Sequence, residues 1–362
     1  MAGCVLLVAG GTGGHLFPAL ALREVLIGRG WHVPVATDPR VGAFVEGVPP
    51  EDLHRIRSAT LTGGAAGAVR LAVALAQGVA ESRRLLKRVR PEVVVGFGGY
   101  PTVPPLIAGR MAGLPLLAHE QNAVVGRANR LVMRLGATLA TGFERVQGST
   151  AAKRVVYVGN PVRSAVATAA RHAYPAPQPG GPFRLLVFGG SQGARVFSEL
   201  IPAALMVLPE ALRARVSVVQ QARTEDLDTA RSRFAAAGVE AELQPFFRDM
   251  PERIAAAQLV ISRAGASTVA ELAVIGRPTI LVPYPHALDH DQAANAAALA
   301  ASGGGWVVTE RDLTPEVLAR RIAALMQEPG VLGAAADAAR RTGRLDAAER
   351  LADLVESLAR RR

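Results

Sequence analysis

Gly3-Cys4-Val5-Leu6-Leu7-Val8-Ala9, then Gly10-Gly11-Thr12-Gly13-Gly14-His15, then a helix-like stretch over residues 16–28 opens the chain. The aliphatic run has the length of a buried strand, and the glycines let the backbone turn sharply. The same succession returns half-way along. Phe183–Phe188 repeats the aliphatic run, Gly189-Gly190-Ser191-Gln192-Gly193-Ala194 repeats the glycine loop, and residues 194–208 repeat the helix. Further strand candidates follow the first opening at residues 33–37, 92–96, 114–118, 137–141 and 154–158, and the second at 215–219, 259–262, 279–282 and 306–308.

Strands alternating with helices predict parallel sheets covered by helices. Two halves that open alike predict an α/β chain of two Rossmann-like domains in tandem. The hinge falls near residues 159–163, giving a first domain over 1–163 and a second over 164–344. The proline- and glycine-rich stretch 174–182 reads as a turn or linker. The basic amphipathic tail, 345–362, is predicted to be a helix closing back toward the N-terminal domain.

The chain's 362 residues exceed the usual single-domain size, which agrees with two cores. Half of them are apolar and a fifth charged, a globular composition, and the 4% aromatic content predicts aliphatic cores. One cysteine, Cys4, excludes an intramolecular disulfide. The net charge of +11 suits nucleic acids, anionic lipid surfaces or phosphorylated substrates. Residues 1–9 lack the basic flank of a signal peptide, and no apolar run has the length to span a bilayer. The expectation is a protein made and kept in the cytoplasm.

Several motifs sit where strands are expected to end. In the first glycine loop the third glycine of the dinucleotide fingerprint is replaced by His15, and Asp38 is the one acidic residue at a suitable distance, so a dinucleotide site is disfavoured. An imidazole at such a loop is a candidate general base. Gly96-Phe97-Gly98-Gly99-Tyr100-Pro101 is a second glycine turn, serving either a phosphate or a crowded corner. His119-Glu120-Gln121-Asn122 lacks the second histidine of a zinc motif and places four polar side chains at a strand's carboxyl end. In the second half, Ser191 among free backbone amides suits a phosphate oxygen. Ser262-Arg263-Ala264-Gly265-Ala266-Ser267-Thr268-Val269-Ala270-Glu271 puts a carboxylate one turn into a helix. Glu271 there either accepts from two vicinal hydroxyls or closes a capping box with Thr268. Tyr284 to Asn295 is rich in His, Asp and Gln, and a sugar-binding loop is more economical than a metal site.

Together these residues resemble the MurG family of glycosyltransferases. Gly10–His15, Gly98–Tyr100, His119–Asn122 with Gly126 and Asn129, Gly159–Arg163, Gly189–Ala194, Ser262–Glu271 and Asp289–Asn295 match it in order and spacing. The resemblance implies a GT-B fold, two Rossmann-like domains with parallel sheets facing a central cleft. It implies inverting transfer of N-acetylglucosamine from UDP-N-acetylglucosamine to the muramyl 4-hydroxyl of lipid I, giving lipid II for peptidoglycan.

His15 is implied as the base. Thr12, Gly13, Gly14, Asn122, Arg163, Ser191, Phe247, Ala266, Ser267, Thr268, Val269, Ala270, Glu271 and Gln292 are implied to bind the donor. Within that set Glu271 takes the ribose, Ser191 a phosphate, and Phe247 the uracil through its backbone. Gly11, Gly98, Gly99 and Tyr100 are implied at the acceptor diphosphate. No tightly bound cofactor or metal is implied, and a divalent cation is at most a stimulant.

The implied partners are UDP-N-acetylglucosamine, undecaprenyl-linked lipid I, an anionic membrane surface and other cell-wall enzymes. The implied location is peripheral, on the cytoplasmic face of the cell membrane. Docking is expected through residues 69–90, where Leu71, Leu75, Val79 and Leu86 share a side and Arg83, Arg84, Lys87, Arg88 and Arg90 supply charge. A helix packed on the sheet with a solvated basic end is the other reading of that stretch. Two rivals stand beside this assignment. One is a UDP-N-acetylglucosamine 2-epimerase of the same fold, which needs no lipid acceptor. The other is a nucleic-acid-binding protein, disfavoured because no recognised module or aromatic platform is present.

Overall fold

The computed structural model describes residues 3–38, 45, 47–57, 65–190, 194–287 and 290–360, with the backbone alone for 65–69 and 71. It divides into two compact units, Met1–Arg163 with Arg344–Arg362, and Ser164–Gly343.

The first unit runs β1 (Val5–Val8), α1 (Gly13–Gly28), β2 (Val35–Thr37), β3 (Leu53–Arg55), α2 (Ala65–Val89), β4 (Val93–Gly96), α3 (Val103–Met111), β5 (Leu116–Glu120), α4 (Arg127–Arg134), β6 (Thr138–Thr141) and β7 (Val155–Tyr157). Its seven strands are all parallel, in the order β3-β2-β1-β4-β5-β6-β7. β1, β4 and β5 are buried on both faces, which is why β1 and β4 read as aliphatic runs and β5 opens as one before ending on His119 and Glu120.

The second unit runs α5 (Ser164–Ala169), β8 (Phe183–Phe188), α6 (Arg195–Val207), α7 (Glu210–Arg213), β9 (Val216–Gln221), α8 (Leu227–Ala236), β10 (Glu240–Gln244), α9 (Met250–Ala256), β11 (Leu259–Ser262), α10 (Ala266–Ile275), β12 (Thr279–Leu281), α11 (Asp291–Ala301), β13 (Gly305–Val307), α12 (Pro315–Gln327) and α13 (Pro329–Thr342). Its six parallel strands are ordered β10-β9-β8-β11-β12-β13. α14 (Ala347–Ala359) belongs with the first unit, as does Arg344. Leu351, Val355 and Leu358 join Leu16, Leu22 and Leu26 of α1 in one core, each buried side chain contributing about 1.5–3 kcal/mol. Trp31 Nε1 donates to Glu356 at 3.0 Å, and Arg29 pairs with Asp353 at 2.7 Å.

In each sheet the strand order reverses direction once, between β1 and β4 and between β8 and β11. Open parallel sheets bind ligands outside the carboxyl ends of the strands at that switch point. The four loops there begin at Ala9, Phe97, Gly189 and Arg263.

Two expectations change. β3 and β10 were not expected from the sequence; both are sheet-edge strands with polar residues, Leu-His-Arg and Glu-Ala-Glu-Leu-Gln. The proline-rich stretch from residue 174 is irregular chain with a turn, as expected, and in addition its first side chain is anchored: Tyr174 donates to Gln258 O at 2.7 Å. In α2 the expected apolar stripe divides. Leu86 turns into the core with Leu85, because the helix packs that side on α3 and the sheet. Leu75 and Val79 stay partly exposed, Val73 is exposed, and the side chains of Val69 and Leu71 lie outside the described residues.

Candidate active site

In the first unit, β1 and β4 are neighbours in register, Val8 opposite Gly96, so their loops emerge side by side. Gly10 N–H donates to Gly98 O at 3.2 Å and joins them. α1 starts at Gly13 with Thr12 as its N-cap, which sets His15 in the first turn. His15 Nδ1 lies 3.0 Å from Thr12 Oγ1. The ring rests on the second loop: a Cβ built on Gly98 would stand 3.2 Å from His15 Cδ2 and 3.3 Å from Nε2. Gly98 and Gly99 both have positive φ, +85° and +77°, so glycine is required there for conformation as well as space. The amide N–H groups of Gly98 and Gly99 donate to nothing among the described residues.

Burial lowers the His15 pKa from 6.5 to about 4, so at neutral pH the imidazole is uncharged and able to take a proton. Gly11 is already engaged: its N–H donates to Asp38 Oδ2 at 3.2 Å, and a Cβ there would stand 2.7 Å from that carboxylate. Asp38, at the end of β2, thus braces the loop from within.

His119 and Glu120 end β5, yet neither offers a free group. His119 is buried, its Nδ1 accepting from Gln121 at 3.1 Å and its Nε2 3.0 Å from Gly159 O. Those partners fix the proton on Nε2. Burial lowers this pKa to about 4 as well. The Glu120 carboxylate accepts from Asn122 N at 3.0 Å, Asn122 Nδ2 at 3.3 Å, Gly126 N at 2.8 Å and Asn129 Nδ2 at 2.9 Å. Its pKa is raised by burial, against which these donors pull. Glu120 therefore shapes the loop carrying Asn122 and the start of α4. Arg163 lies over the Phe17 ring at 4.5 Å, on α1 two residues beyond His15. The implied donor residues Thr12, Gly13, Gly14, Asn122 and Arg163 all stand in the first unit, with Gly98, Gly99 and Tyr100.

In the second unit, β11 ends at Ser262 opposite Phe188, the last residue of β8. α10 begins at Ala266 with Gly265 as N-cap and no side-chain cap. Thr268 lies inside the helix, so the capping box of Thr268 and Glu271 does not form. The amides of Gly265 and Ala266 donate to nothing among the described residues, and no acidic residue stands in the first turn. Such a helix end favours an anion. Glu271 is 9% exposed, one turn in, and Val269 is buried beside Ser267, Thr268 and Ala270, which are partly exposed.

Gln292 bridges two loops, its Oε1 accepting from Ala264 N at 3.2 Å and Tyr284 N at 3.0 Å. Asn295 donates to Ala264 O at 3.1 Å. Phe247 follows β10, its ring buried under the Arg253 guanidinium at 4.3 Å. Ser191 and Asp289 lie outside the described residues. Buried polar atoms without a partner include Ser198 Oγ, both ends of the Gln220 amide, and Ser262 Oγ; Ser262 ends β11 and Gln220 is the penultimate residue of β9. Sequence reasoning passed over Asp38 as a brace, and also Arg263 and Glu310, since a charge in a loop carries no sign of its partner.

Comparison with known proteins bears on both units. The glycosyltransferase family 28 N-terminal domain matches residues 5–141 and the family 28 C-terminal domain residues 184–351. Among curated proteins, the UDP-N-acetylglucosamine–N-acetylmuramyl-(pentapeptide) pyrophosphoryl-undecaprenol N-acetylglucosamine transferase of Rhodospirillum centenum is 53% identical over 353 residues, 97% of this chain and 93% of that one. The enzyme of the same name from Brucella abortus is 52% identical over 99% of this chain and 94% of its own. Among solved structures, Acinetobacter baumannii MurG superposes with a TM-score of 0.80 at 29% identity, covering 98% of this chain and 99% of that one. A Listeria monocytogenes structure assigned as a UDP-N-acetylglucosamine 2-epimerase, at TM-score 0.71 and 13% identity over 99% and 97% of the two chains, shares the fold alone. Matches over both units at such identity leave one conclusion: the chain belongs to glycosyltransferase family 28, and within it to the MurG family of UDP-N-acetylglucosamine-dependent transferases.

Proposed function

We propose that this chain transfers N-acetylglucosamine from UDP-N-acetylglucosamine, with inversion, to the muramyl 4-hydroxyl of lipid I. The observation that carries this reading is the neutral His15 imidazole, held by Thr12 against the glycines of the neighbouring loop at a sheet's switch point. An inverting transfer needs one base for the incoming hydroxyl and compensation for charge growing on the leaving diphosphate. His15 takes the hydroxyl proton. The uncapped start of α10, with the open amides of Gly265 and Ala266, faces the leaving group. Glu271 holds the ribose hydroxyls, Gln292 turns its amide nitrogen to the sugar, and the backbone at Phe247 meets the uracil. The open amides of Gly98 and Gly99 serve the acceptor diphosphate. No step calls for a metal.

Radiolabelled UDP-N-acetylglucosamine incubated with and without a lipid I analogue tests this. Label should enter a lipid-linked disaccharide only when the acceptor is present. Isomerised nucleotide sugar in the absence of acceptor would instead support the epimerase.

No helix among the described residues is long and apolar enough to cross a membrane. α2 and α3 carry two adjoining grooves. One, of about 590 Å³, is lined by Ala72, Leu75, Ala76, Val79 and Ile107 with Arg83 at its edge. The other, of about 480 Å³, has Arg83, Lys87 and Arg90 around Leu86, Met111 and Leu114. An apolar furrow continuous with a basic one suits shallow insertion beside anionic headgroups. This face is the proposed contact with the cytoplasmic surface of the membrane, where a polyprenyl-linked acceptor resides.

A further inference from the structure

Arg263 follows β11 directly and is 8% exposed, yet its guanidinium has a partner from each strand end around it. Its Nη1 lies 2.5 Å from Glu310 Oε2, in the loop after β13. The same nitrogen donates to Val282 O at 3.3 Å and Pro283 O at 3.4 Å, in the loop after β12. Its Cζ stands 5.3 Å from the Tyr284 ring centroid in that loop, and 5.4 Å from that of Phe197 in the first turn of α6, after β8. β8, β11, β12 and β13 are consecutive in the sheet, so one side chain ties the loops of four neighbouring strands. A cation so enclosed has to be paired, and the planar guanidinium alone can stack and donate at once.

These are also the loops that aim Gln292. Its Oε1 is consumed by Ala264 N, beside Arg263, and by Tyr284 N, under the guanidinium. Its amide nitrogen donates to nothing among the described residues. The direction of that free donor depends on the two loops keeping their spacing, and Arg263 sets the spacing.

We propose that Arg263 is a positioning residue for donor selection: by clamping the loops after β11, β12 and β13 it points the Gln292 amide at the transferred sugar and does not itself touch the nucleotide. The proposal rests on the reading of the second unit as the donor site. It separates two parts of one ligand, because UDP lacks the sugar that Gln292 meets.

Titration calorimetry with UDP and with UDP-N-acetylglucosamine, on the full chain and on Arg263→Met, Arg263→Lys and Glu310→Ala, tests it. Arg263→Met should bind UDP within about threefold of the parent while its affinity for UDP-N-acetylglucosamine falls about 10-fold or more, as for loss of a well-aimed hydrogen bond. Arg263→Lys should restore part of the difference, since lysine keeps the charge opposite Glu310 but not the stack on Tyr284. Glu310→Ala, which leaves Arg263 in place, should shift the ratio of the two affinities the same way and decides the matter if Arg263→Met does not fold. Equal loss of both ligands would make Arg263 a direct diphosphate ligand and overturn the proposal, as would an unchanged ratio in both variants. A parent that binds neither nucleotide would instead remove the donor reading, visible before any variant is measured.

Discussion

The turn after β1 and the turn after β11 occupy the same place, the switch point of a parallel sheet with a helix starting beyond it. Their electrostatics differ. The first carries a carboxylate, Asp38, on the Gly11 amide, and an uncharged imidazole in its helix. The second has bare amides at Gly265 and Ala266, no acid in the first helical turn, and a cation behind it whose charge Glu310 already balances. Both turns lead into the positive end of a helix, but an anion at the Gly11 amide would meet Asp38's carboxylate, whereas the amides of Gly265 and Ala266 carry none. On the proposed function, the same supersecondary unit holds the base in one unit and cradles an anion in the other.

The largest expected effect tests whether the first unit's basic surface acts on the membrane rather than on this turn. Changing Arg83, Arg84, Lys87 and Arg88 together to Glu should weaken sedimentation with anionic liposomes by about 10³-fold or more, at roughly 1 kcal/mol per basic residue removed. UDP affinity should be untouched. Parent-like sedimentation would move the membrane contact elsewhere. A smaller effect is expected at the anion-holding turn, where Glu271→Ala should raise the donor KM about 10-fold, from hydrogen bonds to a charged group worth roughly 1.5–3 kcal/mol. An unaltered donor KM would leave that carboxylate a buried helix residue without a ribose. Smallest is Thr12→Val at the base-holding turn. Losing its hydrogen bond to His15 should lower kcat by about threefold to tenfold with donor affinity kept. A change confined to donor KM would mean that Thr12 serves the donor and not the imidazole.

How far such differences could be seen in the sequence depends on what encodes them. Glycine loops between aliphatic runs announced both sheets, because strands buried on two faces must be apolar along their length. β3 and β10 gave no such run, since an edge strand exposes one side and tolerates His54, Arg55, Glu240 and Glu242. His15, Gly98 and Glu271 stood out by their spacing from strand ends. Asp38 and Arg263 did not, because their partners lie 27 and 47 residues away, at Gly11 and Glu310. His119 was legible only as one of four polar side chains at a strand end; its two occupied ring nitrogens, which make it a structural group, could not be read from the sequence. The α2 stripe misled at Leu86, where helical spacing alone cannot tell a face packed on α3 from one open to solvent.

If the neutral His15 imidazole takes the acceptor's proton, kcat/KM followed against pH, beside the His15→Ala variant, will show it. Burial holds the conjugate acid at about 4, so the base stays unprotonated as the pH falls through 6.5. The unfolded chain protonates both His15 and His119 near 6.5, so the stability these groups confer is lost as the pH falls from 6.5 toward 4. Rates are therefore read immediately after a pH jump. The parent should keep nearly full kcat/KM at pH 5.5, where an unshifted histidine would leave about a tenth. His15→Ala should lose about 10²–10⁴ in kcat with its donor affinity intact. A parent curve that bends at 6.5, or a His15→Ala variant with near-normal kcat, would contradict it.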